Sequence, residues 1–362
     1  MNTFRRSFAA LAGALALAAC DGDSPFKPEL GFLAGTEDDQ QIGVVVNSTE
    51  RALTLFQLGA PREVRQVALG SSSQVTPVGA SVRGRRAAVP LGNAASVALV
   101  DLEQLRATRY FLARGGNLTG SAWVDDRTVL VANTNDDYVG RFTVDQAGDS
   151  ITQRVQVASD PTEIVIAGDR ALVVSSNLGP DWMPLGNGVV TALNPGTLQV
   201  LGTVQTGGTN PGAAALGPDG LLYVVNTGDY ASPSVMTVLN PQTLAVVRNV
   251  PDVGTGAGSI SIGRDGLAYI SGFFVGTVVY DTRTRTFVRG PDDPVCAKLA
   301  NGQCRGAADA QPDEDGNLYQ VFFGSAAEGL APYVFVYRPG TFQLADSVAV
   351  GQGPSSIDIR TF

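Results

Sequence analysis

A repeat of 42 to 51 residues constrains the fold of this 362-residue chain more than any other feature. One column of the repeat stands near the end of an apolar run, as in "VVVNS", "VLVANT" and "YVVNTG", and consists of Asn47, Pro90, Asn133, Ser175, Asn226, Ser271 and Phe322. A second column follows on or just after the next apolar run and consists of Gln57, Asp101, Asp145, Asn194, Asn240, Asp281 and Arg338. Two columns that advance together through seven cycles indicate seven similar structural units.

Each cycle contains four short runs that are typical of β-strands. In the fifth cycle these runs are "GAAALG", "LLYVVNT", "SVMTVLN" and "LAVVRNV", separated by Asp-Gly, Gly-rich or Asn-Pro turns. They show no helical periodicity. One four-stranded sheet cannot bury both of its faces, whereas sheets packed side by side in a ring can. We therefore predict an all-β fold, a seven-bladed β-propeller of four-stranded antiparallel blades.

The two ends of the chain predict how the ring closes. The first cycle begins at "QIGVVVNS" without a convincing inner strand before it, and the chain ends in "VGQGPSSIDIRTF" with no blade to follow. We expect residues 355–361 to supply the inner strand of the first blade. The ring would then be sealed by hydrogen bonds between the two chain ends.

The repeat resembles the YVTN-type β-propeller repeat family. Tyr223, Val224 and Asn226 match the Tyr-Val-x-Asn strand of that family, and Asn240, Thr243 and Leu244 match its Asp/Asn ending and Thr-Leu turn. Its Val-Gly-x-x-Pro exit matches Val350, Gly351 and Pro354. Cycles two to seven match the pattern to different degrees, and the first cycle matches it poorly. The resemblance implies the fold but no particular activity, since propellers host many functions.

The N-terminus is interpreted as a processing signal. Arg5 and Arg6 precede a twelve-residue apolar run that is too short for a bilayer span, which needs about 20 apolar residues. The run ends in "LAAC", which resembles the lipobox of bacterial lipoproteins and implies lipidation of Cys20; the alternative is a cysteine in an ordinary signal. We predict a signal peptide at 1–19, a lipidated N-terminus and flexible tether at 20–38, and the propeller at 39–362. The implied location is the bacterial cell envelope, anchored to a membrane and facing the periplasm or exterior.

Charge and composition exclude several classes of function. Without Arg5 and Arg6 the chain has 23 basic and 34 acidic residues, a net charge of −11, which disfavours nucleic-acid binding. It contains no histidine, which excludes Ser-His-Asp and Cys-His hydrolysis and His-ligated haem, copper or zinc. We expect a disulfide between Cys296 and Cys304, with two buried thiols as the alternative.

The segment "DEDGN" at 313–317 resembles part of a calcium-binding loop. However, position 311 is Gln, and Phe322 stands where such a loop needs Glu. The same column holds "PDG" at 218–220 and "RDG" at 264–266, so we interpret it as a hairpin turn. We predict no metal and no cofactor.

One end of the predicted ring is the candidate binding face. The turns between strands one and two, and three and four, are short, whereas the loops at the other end are long and irregular, notably 176–188, 226–233 and 322–332. Function concentrates in loops displayed by a rigid scaffold. The candidate residues on these loops are Asp181, Trp182, Asp229, Tyr230, Phe273, Phe274, Phe322 and Phe323. For the phenylalanines, the alternative is packing between blades.

We predict a lipid-anchored binding or protein-interaction module, with an envelope protein, a peptide or a glycan as its partner, and we expect a monomer. One alternative is a lactonase-like propeller hydrolase that uses carboxylates, with or without calcium, over the central channel. Another is a purely structural envelope protein. No catalytic constellation is visible in the sequence, so a non-enzymatic role is favoured.

Overall fold

The computed structural model describes Leu33 and residues 40–59, 63–299 and 302–362. The predicted signal peptide, Cys20 and most of the predicted tether lie outside the described residues. Leu33, inside the predicted tether, is fully buried in the hydrophobic core formed by the first two blades. No helix among the described residues is long and apolar enough to cross a membrane.

The described residues form seven four-stranded antiparallel sheets, which are the blades of a β-propeller. Blade one contains β1 Gln41–Asn47, β2 Ala52–Gln57 and β3 Val64–Ala68, and blade two contains β4 Ser81–Arg83, β5 Arg86–Pro90, β6 Ser96–Asp101 and β7 Arg106–Leu112. Blade three contains β8 Leu118–Trp123, β9 Thr128–Asn133, β10 Tyr138–Thr143 and β11 Gln153–Gln156. Blade four contains β12 Pro161–Ala167, β13 Arg170–Ser175, β14 Val189–Leu193 and β15 Val200–Gln205. Blade five contains β16 Pro211–Leu216, β17 Leu222–Asn226, β18 Val235–Leu239 and β19 Val246–Val250. Blade six contains β20 Ala257–Ile262, β21 Leu267–Gly272, β22 Gly276–Asp281 and β23 Thr286–Arg289. Blade seven contains β24 Asp309–Pro312, β25 Leu318–Phe322, β26 Tyr333–Tyr337 and β27 Leu344–Ala349. A three-residue 3₁₀ helix, Ala326–Glu328, lies in blade seven.

The C-terminal strand closes the ring, as predicted. Strand β28, Pro354–Thr361, pairs antiparallel with β1 and becomes the inner strand of blade one. It also contacts its neighbours on both sides: the backbone N–H of Ile357 donates to Asp309 in blade seven (3.0 Å), and that of Val82 in blade two donates to Asp358 (3.1 Å). The closing strand therefore joins three blades.

The hydrophobic core lies between successive blades. Each blade buries side chains on both faces of its middle strands, so strands such as β17 read as continuous apolar runs instead of alternating ones. Between blades five and six, Tyr223 and Val225 pack in one cluster with Ile270 and Val278. Stability therefore depends on the packing of neighbours around the ring.

In three cycles, the residue directly after the first repeat column carries a hydroxyl that hydrogen-bonds its blade to the next one. The hydroxyls of Thr134, Ser176 and Thr227 donate to the carbonyls that begin the next inner strand, at 2.9, 2.9 and 2.8 Å. The buried Asn226 amide donates to Val235 O (2.9 Å) and to the Thr237 hydroxyl (3.0 Å) of the adjacent strand. The Asn-Thr pair of the repeat is therefore a structural connector.

The second repeat column forms the turn between the third and fourth strands. Asn240 Oδ1 accepts the N–H groups of Gln242 (2.9 Å) and Thr243 (3.0 Å), and Leu244 then adopts a left-handed backbone with φ 59°. The segment 313–317 is the turn between β24 and β25, in which Asp313 Oδ1 accepts the Asn317 N–H at 2.7 Å. Gly316 has a φ of 81°, which explains why the turn requires Gly at this position.

Candidate binding surface

Consecutive strands of a blade run in opposite directions, so the connections divide between two faces of the ring. The tight-turn face holds the turns between the first and second strands and between the third and fourth strands. The long-loop face holds the second-to-third-strand loops and the connections between blades. Its longest connection, 290–308, joins β23 to β24 and contains the Cys296–Cys304 disulfide, whose Cα atoms are 5.4 Å apart. The predicted disulfide is confirmed.

Exposed apolar side chains concentrate on one sector of the long-loop face. Among the described residues, the six most exposed large hydrophobic side chains all lie in the second-to-third-strand loops of three consecutive blades, four to six. They are Trp182 (67 % exposed), Met183 (62 %), Leu185 (67 %), Tyr230 (58 %), Phe273 (55 %) and Phe274 (67 %). We call the loops 176–188, 227–234 and 273–275 the aromatic face. Single exposed hydrophobic residues are normal on protein surfaces, whereas a concentration of them usually marks an interaction surface.

The loop of blade four is an ordered hairpin that presents Trp182 at its tip. Its backbone hydrogen bonds join Gly179 N to Met183 O (2.8 Å), Trp182 N to Gly179 O (2.9 Å) and Leu185 N to Asn177 O (2.9 Å). Trp182 has a left-handed backbone with φ 62°, a conformation that bulky residues rarely adopt. Structural turns of the ring, such as that of Leu244, use the same backbone conformation, so in Trp182 it reflects the hydrogen-bonded hairpin.

The loop of blade five presents Tyr230 in a similar way. Tyr230 also has a left-handed backbone, with φ 61°. The preceding Asp229 accepts the N–H groups of Ser232 (2.7 Å) and Ala231 (3.0 Å), and these hydrogen bonds hold the pKa of its carboxyl below the usual range. Asp229 therefore stays ionised while it fixes the loop.

The loop of blade six is a short hairpin that carries two adjacent phenylalanines. Phe273 packs edge-to-face on Phe323 of blade seven, with ring centroids 5.9 Å apart. A Cβ on Gly306, near the disulfide, would lie 1.7 Å from the Phe273 carbonyl oxygen, so this loop and the 290–308 connection are in close contact. Phe274 is more exposed and has its ring beside Gly256.

Phe322, named with the other candidates on sequence grounds, is a buried residue. It is 6 % exposed, and its ring packs between Phe335 and the guanidinium of Arg305, which lies 4.2 Å from the ring centroid. Phe322 is the last residue of β25, whose side chains are all buried, whereas the half-buried Phe323 lies beyond the end of the strand. For Phe322, the alternative of packing in the interior of the ring is therefore the correct one.

Two members of the aromatic face were missed by the sequence reasoning. Met183 and Leu185 flank Pro184 in the hairpin and are as exposed as the aromatic residues. The signal was present: four large apolar residues fall within the ten residues from Leu178 to Asn187, inside a segment rich in Gly, Pro and Asn.

The carboxylates of the central channel are a second feature that the sequence did not identify, although the hydrolase alternative required such groups there. The channel has a volume of about 900 Å³ and is lined by the inner strands, three of which contribute the carboxylates Glu163, Asp309 and Asp358. Burial, with the nearby Asp309 carboxylate adding to it, raises the pKa of Glu163 to about 7. Burial likewise raises the pKa values of Asp309 and Asp358. Because these pKa values are higher in the folded state than in the unfolded state, the folded protein holds the protons more tightly. The free energy of unfolding therefore falls as the pH rises from the ordinary carboxyl pKa to the raised pKa of the folded protein.

The channel carboxylates are bonded to the scaffold. Asp309 and Asp358 each accept a backbone N–H from the neighbouring blade, and Asp358 also pairs with Arg360 at 2.9 Å. Across the described part of the chain, no group of three or more His, Cys, Asp or Glu side chains is arranged to hold a metal ion.

Comparison with known proteins identifies the fold. No protein-family model and no curated protein matches the chain. Among solved structures, it is similar to a functionally unknown protein from Desulfotomaculum acetoxidans DSM 771 (TM-score 0.65, 16 % identity, covering 88 % of this chain and 98 % of that one). It is also similar to the hydrazine synthase of Kuenenia stuttgartiensis (TM-score 0.62, 14 % identity, covering 79 % and 90 %). At these identities the likeness shows the β-propeller fold alone.

Proposed function

We propose that this protein is a lipid-anchored binding module of the bacterial cell envelope, built on a YVTN-type β-propeller, and that it binds its partner through the aromatic face. The observation that carries the proposal is the concentration of the six most exposed large hydrophobic side chains in three neighbouring loops. Large aromatic residues dominate the binding energy of many interfaces. A rigid ring that displays them on ordered loops suits recognition.

The N-terminal sequence supports the anchor and suggests an orientation. The basic residues, the short apolar run and "LAAC" point to a lipoprotein signal that ends before Cys20. The first strand begins at Gln41, beside the tight turns that contain Asp265 and Asp313. The chain therefore enters the ring at the tight-turn face.

A carboxylate-dependent hydrolase is the second candidate. Glu163, Asp309 and Asp358 in the central channel favour it, since raised pKa values are frequent in active sites. Against it, Asp309 and Asp358 accept hydrogen bonds from neighbouring blades, which gives them a structural role in the ring. The binding module is therefore preferred.

Replacing Trp182 by Ala is expected to weaken capture of the natural partner from envelope extract by roughly 30-fold, the equivalent of about 2 kcal/mol for a central aromatic residue. Because the side chain is 67 % exposed, the melting temperature should not change appreciably. Leu344→Ala is the matched control, since Leu344 is 54 % exposed but lies on the outer strand β27. Equal capture by wild type and both variants would contradict the proposal.

A further inference from the structure

The loops of the aromatic face and the connections around them are predominantly acidic. The loops themselves and the connections that lead into blades four to six are the segments 157–160, 176–188, 206–210, 227–234, 251–256 and 273–275, all of which the structure describes. These segments contain four carboxylates, Asp160, Asp181, Asp229 and Asp252, and no Lys or Arg. Asp160 is buried, whereas the other three are exposed. The 290–308 connection, which contacts the loop of Phe273, adds Asp292, Asp293, Lys298 and Arg305, so the sector contains six acidic and two basic residues. It thus combines apolar side chains with a net negative charge.

Two of the exposed carboxylates directly precede the two aromatic residues with left-handed backbones. Asp181 comes before Trp182, and its Oδ1 accepts the Met183 N–H at 3.2 Å; Asp229 comes before Tyr230. Each pair therefore offers an anion and an aromatic ring on one short loop. A Lys or Arg side chain suits both groups, because it pairs with a carboxylate and is attracted to the face of an aromatic ring.

The other half of the same face differs. The second-to-third-strand loops of blades one to three are 48–51, 91–95 and 134–137. They contain none of the large exposed hydrophobic side chains, and they contain both Arg51 and the carboxylates Glu50, Asp136 and Asp137. The second-to-third-strand loops of each half carry a net charge of −2, so what distinguishes blades four to six is that their carboxylates lie beside exposed apolar side chains.

We propose that the aromatic face binds a polypeptide segment in which Lys or Arg side chains adjoin apolar ones. This inference rests on the proposed function and specifies its partner by charge complementarity. A bilayer is the less suitable occupant, because surfaces that bind anionic membranes carry Lys and Arg, which these loops lack. A neutral glycan would use the rings but would not need the carboxylates.

The test uses the full chain with Cys20→Ser and a random peptide library as the probe. Peptides selected on this protein are expected to be enriched in Lys and Arg next to apolar residues. Their affinity should fall at least tenfold with the triple substitution Asp181→Asn, Asp229→Asn and Asp252→Asn, and again with Trp182→Ala. Asn keeps the oxygen that accepts the loop hydrogen bonds, so the fold of the loops is preserved. A matched control with the same loss of charge, Asp126→Asn, Asp169→Asn and Asp315→Asn on the tight-turn face, should leave the affinity unchanged.

The failure of this inference can be told from the failure of the proposed function. Neutral or acidic peptides that still depend on Trp182 would overturn the basic-partner inference and leave the binding face intact. A library that yields no peptide dependent on Trp182 would count against both. Vesicles of phosphatidylethanolamine and phosphatidylglycerol are tested in parallel by tryptophan fluorescence. A blue shift that Trp182→Ala abolishes would overturn the inference in favour of a membrane surface.

Discussion

Deletion of residues 355–362 is expected to leave a protein that does not fold into a stable ring. The deletion removes most of β28, which pairs with β1 along its whole length and contributes Ile357 and Ile359 to the core. It exposes an unpaired strand edge, leaves a gap between blades two and seven and removes two hydrogen bonds between blades. We expect a loss of free energy of unfolding above about 5 kcal/mol, which is comparable with the total stability of many domains. Thermal unfolding followed by circular dichroism would measure it.

The matched control restores the strand without the covalent link. A synthetic peptide of residues 352–362, added to the truncated protein, should raise its melting temperature in a concentration-dependent way, because binding to the folded state stabilises it. Ser356→Ala, on the same strand but only half-buried, should have little effect. A truncated protein that melts within a few degrees of the full chain would show that β28 does not hold the ring closed.

Replacement of Gln320 by Leu is expected to lower the free energy of unfolding by about 3 kcal/mol, because it removes three hydrogen bonds and leaves the buried Tyr337 hydroxyl without a partner. Gln320, on β25, is 2 % exposed. Its amide donates to the Thr277 hydroxyl and to Val295 O, both at 2.8 Å, and its carbonyl accepts the Tyr337 hydroxyl at 3.1 Å. This network fastens the disulfide-containing connection to blades six and seven, beside the loop of Phe273.

Tyr337→Phe is the control for this network. It removes one hydroxyl and leaves both donations of Gln320 in place, so it should cost about 1 kcal/mol. Chemical denaturation of the three proteins gives the comparison. If Gln320→Leu costs no more than Tyr337→Phe, the network does not stabilise the ring.

The repeat made the fold predictable, because each structural role recurs at a fixed place. The Asn226–Thr227 pair and the Asn240–Leu244 turn have equivalents in other blades, so an incorrect strand assignment in one cycle would conflict with the others. The closing strand was predictable in the same way, because the first cycle lacked an inner strand and the C-terminal segment supplied one with no blade to follow it. Residues that recur could be read as structural, and the structure gives Thr227 and Asn240 the contacts that require them.

The features that do not recur were harder to predict. Phe322 and Phe323 are neighbours of the same type, but Phe322 ends the fully buried strand β25 and Phe323 lies in the loop after it, a boundary that the residue types do not mark. Glu163, Asp309 and Asp358 come from distant parts of the chain and meet only because the inner strands surround one channel. The ring positions them, but no local pattern marks them.

Site-specific photo-crosslinking in living cells tests the binding face most directly. A photoreactive amino acid would replace Trp182, Tyr230 or Phe274 in the full chain, and Asp126, Asp169 or Asp315 on the tight-turn face. We expect one discrete adduct of higher mass from each of the first three positions and none from the other three. Adducts from the tight-turn positions alone, or no adduct from any position on the aromatic face, would contradict it.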